Sequence, residues 1–359
     1  LLLGALALVS AWLPGGLGQI ALYPALGAFP GLALAWAILP GAPAATRWVV
    51  GLGLAPLVSS IAGWALLALR LSPAAATVAI AAVSWAAWLA LLGRAESPDP
   101  DPDHEASRVP AALWLLSAAL VVAVIVPHVL NPWMLIKSDA WNHAGIVYQI
   151  LERGMPPEDP RFAGLHLNYV WFFNLFIGLL TSVRDGNPFV FMTILNVADV
   201  GLIGWVVWLV AGAVWRSRDA ALGAALLACF GFNAFAWVLW PFRGLAGLLG
   251  DKRGWDLLRA AYRPPAFNNW LIMEDLGAPH TYIENFIDKF VTGTSINYTW
   301  ILMLLLLWGL VRLTRERHRG ALFVVALAAA GMQLWHGVVG LSVVAVALNA
   351  GVVVLLARR

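Results

Sequence analysis

Residues 166–183, HLNYVWFFNLFIGLLTSV, decide how this chain is threaded. The run is apolar enough to cross a bilayer, and whether it crosses sets the side of everything after it. Short loops rich in Arg face the cytoplasm. If 166–183 crossed, Arg216, Arg218 and the cluster Arg312, Arg315, Arg317 and Arg319 would all lie outside. The segment is therefore read as a re-entrant or interfacial helix. Its Asn168, Tyr169 and Asn174 agree with partial insertion.

The rest of the composition sets the class. The 359 residues are 61% hydrophobic and 11% charged, with a mean hydropathy of +0.80. Soluble domains carry about 25% charge. The reading is an all-α, polytopic helical membrane protein, because the apolar runs are too long for barrel strands of roughly ten alternating residues. About ten spans are expected, at 2–13, 19–39, 48–69, 73–92, 111–127, 189–214, 220–240, 296–312, 321–335 and 337–356. This count places the basic loops inside and leaves only Arg70 in a short outside loop. The lone Cys229 excludes a disulfide framework. The net charge of +3 is spread over loops, so no nucleic-acid partner is expected. The chain begins at Leu1, so its natural start is expected upstream.

Three parts follow. Residues 1–93 form an N-terminal four-helix membrane extension. Residues 94–110, RAESPDPDPDHEASRVP, are an acidic, Pro-rich cytoplasmic linker. Residues 111–359 form the main membrane module, with two long external loops, 128–188 and 241–295, that carry short amphipathic helices.

The first loop holds the densest chemistry. Residues 138–153 read as an amphipathic helix lying on the outer face. Ser138 is its expected N-cap, and its apolar side is Ala140, Trp141, Ala144, Val147, Tyr148 and Leu151. Asp139 and His143 are four apart and share a helix face. Such a pair can transfer a proton or supply two metal ligands. The same spacing also suits a helix-start Asp and a solvated His. The following PPEDPRFAG holds Glu158 and Asp159 on a turn stiffened by three prolines. It reads either as a rigid surface turn or as a device that fixes acids near Asp139.

The order of these features carries a resemblance. An Asp at the start of an external amphipathic helix, then PPEDPRFAGLHLNY, then an apolar helix, resembles the first external loop of membrane glycosyltransferases of the GT-C superfamily. It is most similar to bacterial members with a PPxDPxxAGxxLxY loop. The upstream Pro30-Gly31 and Pro40-Gly41 are also similar to an N-terminal extension in some of them. The resemblance covers roughly 110–340. It implies a GT-C-like fold and a polyprenyl-phosphate-linked sugar donor at the outer face of the bacterial cytoplasmic (inner) membrane. It also implies that Asp139 is the catalytic acid of the first loop.

On this reading Asp139 is the base, His143 orients it, and Glu158 or Asp159 assists. Asp139 and Asp159 are candidate ligands for a divalent ion (Mg or Mn). Lys289, Arg263 and Arg161 would meet the lipid phosphate. His280, His336 and Tyr169 would face the site. Lys289 also fits a snorkelling helix-end Lys, and His280 and His336 fit solvated or structural roles. A transporter or lipid-translocating protein is the alternative, with Asp199, Asn196 and Asn233 as its intramembrane polar groups. A non-catalytic partner in envelope assembly is the third.

Overall fold

The computed structural model describes residues 15–92, 109–130, 135–136, 139–162, 164–183, 186–230, 290, 294–316, 318–343 and 345. Among these, regular structure is helical and no strand forms. The named helices are α1 (Gly15–Gly27), α2 (Phe29–Ile38), α3 (Ala44–Ala68), α4 (Pro73–Leu92), α5 (Ala111–Leu130), α6 (Ala140–Arg153), α7 (Phe172–Thr181), α8 (Pro188–Trp215), α9 (Arg218–Phe230), α10 (Ile296–Glu316) and α11 (Arg319–Trp335).

Among the described residues, five stretches are long and apolar enough to cross a membrane: Leu17–Ile38, Ala44–Ala68, Pro73–Leu92, Pro188–Trp215 and Ile296–Glu316. The chain is a multi-pass helical membrane protein. The expected spans at 111–127 and 321–335 coincide with shorter apolar helices. The expected span at 2–13, and most of 231–240 and 344–356, lie outside the described residues.

The deciding segment folds as α7, only ten residues long. At about 1.5 Å per residue it reaches about 15 Å, half of a 30 Å hydrocarbon core. All ten of its residues are buried. It is enclosed by other helices rather than laid on the surface. Non-helical entry into the membrane is tolerated when it is buried in protein in this way.

Small and hydroxylated residues join the helices, as expected where lipid supplies no hydrophobic drive for association. Gly31 and Gly51 let α2 and α3 touch: a Cβ on Gly31 would sit 2.0 Å from the Gly51 carbonyl oxygen. Ser59 Oγ donates to the Leu26 carbonyl at 2.7 Å. Thr77 Oγ1 donates to the Leu179 carbonyl, also at 2.7 Å, and so ties α4 to α7. Trp205 Nε1 donates to Ser117 Oγ, which donates on to the Gly201 carbonyl, and this joins α5 to α8.

Helix α3 contains Pro56, which supplies no N–H to the helix ladder. Nearby, the Tyr298 hydroxyl of α10 donates to the Gly53 carbonyl at 2.8 Å and accepts from the Leu57 N–H at 3.1 Å. One side chain thus bridges two α3 groups that an unbroken helix would pair with each other.

The two ends of the bundle differ. The start of α3, the ends of α8 and α10 and the start of α9 share one end, because they line a common cavity. Arg315 Nη1 donates to the Ala213 and Val214 carbonyls there. The first long loop occupies the other end, where α6 and Trp171 meet the α3–α4 turn.

Candidate functional site

Asp139 is the N-cap of α6, one residue beyond the expected Ser138, and its side chain makes no capping bond. It is exposed. Its carboxylate has no hydrogen bond or ion pair with any described residue.

Helix α6 buries Ala140, His143, Ala144, Ile146, Val147 and Ile150. It packs on α7, where Val147 Cγ1 and Ile150 Cγ2 lie close to Gly178. The expected apolar side was partly rotated from this. Trp141 is 61% exposed and Tyr148 45%, because α6 is apolar both toward the bundle and away from it. Trp141 nevertheless meets Phe189 edge-to-face at 5.3 Å.

His143 is buried rather than solvated. Its Nδ1–H donates to Asn174 Oδ1 of α7 at 2.9 Å, and its ring meets Phe173 edge-to-face at 4.8 Å. That bond fixes the tautomer and leaves Nε2 as the basic nitrogen. Burial pushes the imidazole below its ordinary value. The Asn174 bond and the Asp139 charge oppose that push, and His336 reinforces it. His336 caps the C-terminus of α11 and is half-buried. Its Nδ1 accepts from the Val339 N–H at 3.4 Å, and burial lowers its pKa too. Tyr169 is exposed, with its ring 6.1 Å from that of His143. Beneath lie Phe173 and Trp335, with ring centroids 6.1 Å apart.

Two buried donors in this region have no acceptor among the described residues: Asn174 Nδ2 and Trp335 Nε1. Sequence reasoning used Asn174 only as a sign of partial insertion and did not pair it with His143. Nothing in the residue spacing points to that pairing, because it joins two separate helices.

The two acids of the proline-rich turn, Glu158 and Asp159, are engaged locally. Residues 157–167 close a small loop around an isolated antiparallel bridge between Glu158 and His166. The Asp159 N–H donates to the Leu165 carbonyl at 2.9 Å and the Leu167 N–H to the Pro157 carbonyl at 3.1 Å. Glu158 pairs with Arg153 and accepts from the Gly164 N–H. Both oxygens of Asp159 accept from Arg161, at 3.1 Å each. Arg161 holds the Asp159 carboxyl below its usual range, and Asp159 in turn raises the Arg161 guanidinium.

The structure therefore brings Asp139, His143, Tyr169 and His336 together and leaves Glu158, Asp159 and Arg161 in their own cluster. Lys289, Arg263 and His280 lie outside the described residues. Among the described residues no three His, Cys, Asp or Glu side chains converge. With both Asp159 oxygens on Arg161, these residues do not assemble a divalent-ion site.

Beside the far end of α6 is an apolar groove of about 310 Å³. It is lined by Trp64, Leu67, Leu71, Ile150, Met155 and Trp171 among others. No protein-family model, characterised protein or solved structure matches this chain.

Proposed function

We propose that the protein is a membrane glycosyltransferase of GT-C type, moving a sugar from a polyprenyl-phosphate donor to an acceptor hydroxyl at the outer face of a bacterial cytoplasmic membrane. The observation that carries the reading is the state of the three candidate site acids. Glu158 and Asp159 are tied to arginines, whereas Asp139 has no partner among the described residues. A general base needs a carboxylate that is not already committed. The first-loop resemblance supports the same residue.

In the reaction the acceptor oxygen attacks the anomeric carbon. The bond from that carbon to the phosphate oxygen breaks, and the lipid phosphate leaves with the electron pair. Asp139 takes the acceptor proton. His143, held by Asn174, positions the start of α6 and places a neutral imidazole beside the carboxylate. The unpartnered Asn174 Nδ2 is a donor for a sugar or acceptor oxygen once the site closes. Arg161 is committed to Asp159, so charge on the leaving phosphate falls to Lys289 and Arg263 of the second loop. The groove between α3, α4 and the end of α6 suits an isoprenoid tail, since its lining is mainly apolar.

The test is transfer of a labelled sugar from a panel of polyprenyl-phosphate donors by the full chain in liposomes. Asp139→Asn should lower transfer by about 10²–10⁴-fold, the usual loss for a general base. Donor binding and protein level should hold. Glu158→Gln and Asp159→Asn should cost far less. Full activity in Asp139→Asn would remove this mechanism. Inactivity of the unaltered chain with every donor would favour a transport reading, which rests on the buried Asp199 and the Asn297–Asn196 bond within the bundle.

A further inference from the structure

The end of the bundle opposite α6 carries a cavity of about 500 Å³, and two separate elements turn arginines toward it. Arg312 comes from the last turns of α10, and Arg216 and Arg218 from the α8–α9 turn. Basic residues near helix ends are expected from topology alone. Topology does not require them to converge on one concavity. Glu316 also lines it, bonded to Arg312 at 2.7 Å. Arg216 and Arg218 make no ion pair among the described residues, so the lining keeps a net positive charge.

The start of α3 favours an acceptor there as well. Helix α3 begins at this cavity with Ala45 and Thr46. Its N-cap, Pro43, offers no side-chain cap, and its first turn has no acid. The opening N–H groups of a helix favour an anion. Independently, Trp208 lines the cavity and is only 8% exposed. Its indole nitrogen is itself buried and has no acceptor among the described residues. The carbonyls that would repel an anion, Ala213 and Val214 at the end of α8, are already covered by Arg315. Trp208, Trp308 and Leu209 make the remaining wall apolar.

We propose that this cavity binds the phosphodiester headgroup of an anionic phospholipid from the leaflet at the arginine-rich end. Arg216 and Arg218 pair with the phosphate beside the opening N–H groups of α3. The apolar wall takes the glycerol and upper acyl chains. Basic pockets between spans at the cytoplasmic side suit such headgroups. This site is remote from Asp139 and independent of the proposed transfer reaction.

The test is native mass spectrometry of the full chain in detergent, titrated with dioleoylphosphatidylglycerol or dioleoylphosphatidylcholine. The anionic lipid should bind in clear preference. An Arg216→Gln/Arg218→Gln double variant should lose about 10- to 30-fold of that affinity. Arg70→Gln, at the opposite end, should bind as the unaltered chain does. Thr46→Asp puts a carboxylate at the start of α3, which a helix start tolerates, and should weaken the anionic lipid several-fold. It also keeps the test decisive if the double variant fails to fold. A large excess of inorganic phosphate should leave the lipid bound, and displacement by it would assign the cavity to a soluble anion instead. Equal binding of both lipids, or unchanged phosphatidylglycerol affinity in the arginine and Thr46 variants, would overturn the proposal.

Discussion

His143 shows how one buried side chain links the loop to the bundle and makes stability depend on pH. Its folded pKa is below the ordinary 6.5 because burial penalises the charged ring. In the unfolded chain it protonates near 6.5. Between those two values the unfolded state binds more protons, so stability falls as the pH drops below about 6.5 and levels off beneath the folded value. His336 is shifted the same way and adds to the slope. The melting temperature in detergent should therefore fall from pH 7 to pH 5, and His143→Gln should flatten part of that fall. Equal slopes in both chains would show that His143 is not buried neutral. The spacing of Asp139 and His143 is plain in the sequence, but the partner of His143 is not. Asn174 lies 31 residues away on another helix, and helix periodicity reports only neighbours on the same helix.

Among the elements, α3 is the one most dependent on others. Its Pro56 removes a donor, and Tyr298 bonds both Gly53 and Leu57 across the break. Tyr298→Phe keeps the ring but strands a buried carbonyl and N–H unless they find each other. It should cost about 1–2 kcal/mol, between the modest polar contacts of membrane bundles and the penalty for unsatisfied groups. Equilibrium unfolding in mixed micelles measures it, and an unchanged midpoint would show that the helix closes on its own. The boundaries of simple spans were legible. Residues 73–92 were expected, and α4 is Pro73–Leu92, with Ser72 Oγ accepting from the Ala75 N–H at 3.3 Å. A Ser-Pro start and a long apolar run are local signals. The face of α6 was not legible, because Trp141 and Tyr148 have the same apolar character as the buried Val147 and Ile150, and only the packing on α7 separates them.

At the scale of the molecule, the short α7 fixes the sidedness. Since it reaches only about half of the hydrocarbon core, the loop before it and the start of α8 lie on the same side. A tag after Pro157 should be reachable from outside intact cells and one at His318 should not. A tag after Asp256 should also be reachable, as the basic-loop count requires. A cytoplasmic Asp256 would reverse the second loop and separate it from Asp139. The Tyr298 bridge has a further meaning in time. Gly53 and Tyr298 are 245 residues apart, and ribosomes add roughly 5–20 residues per second. The two α3 groups therefore wait about 12–50 s, through the synthesis of most later helices, before their partner exists. Until then α3 must sit in the bilayer with an incomplete ladder. A chain stopped short of α10 should accordingly hold α3 loosely, as an early substrate for membrane quality control.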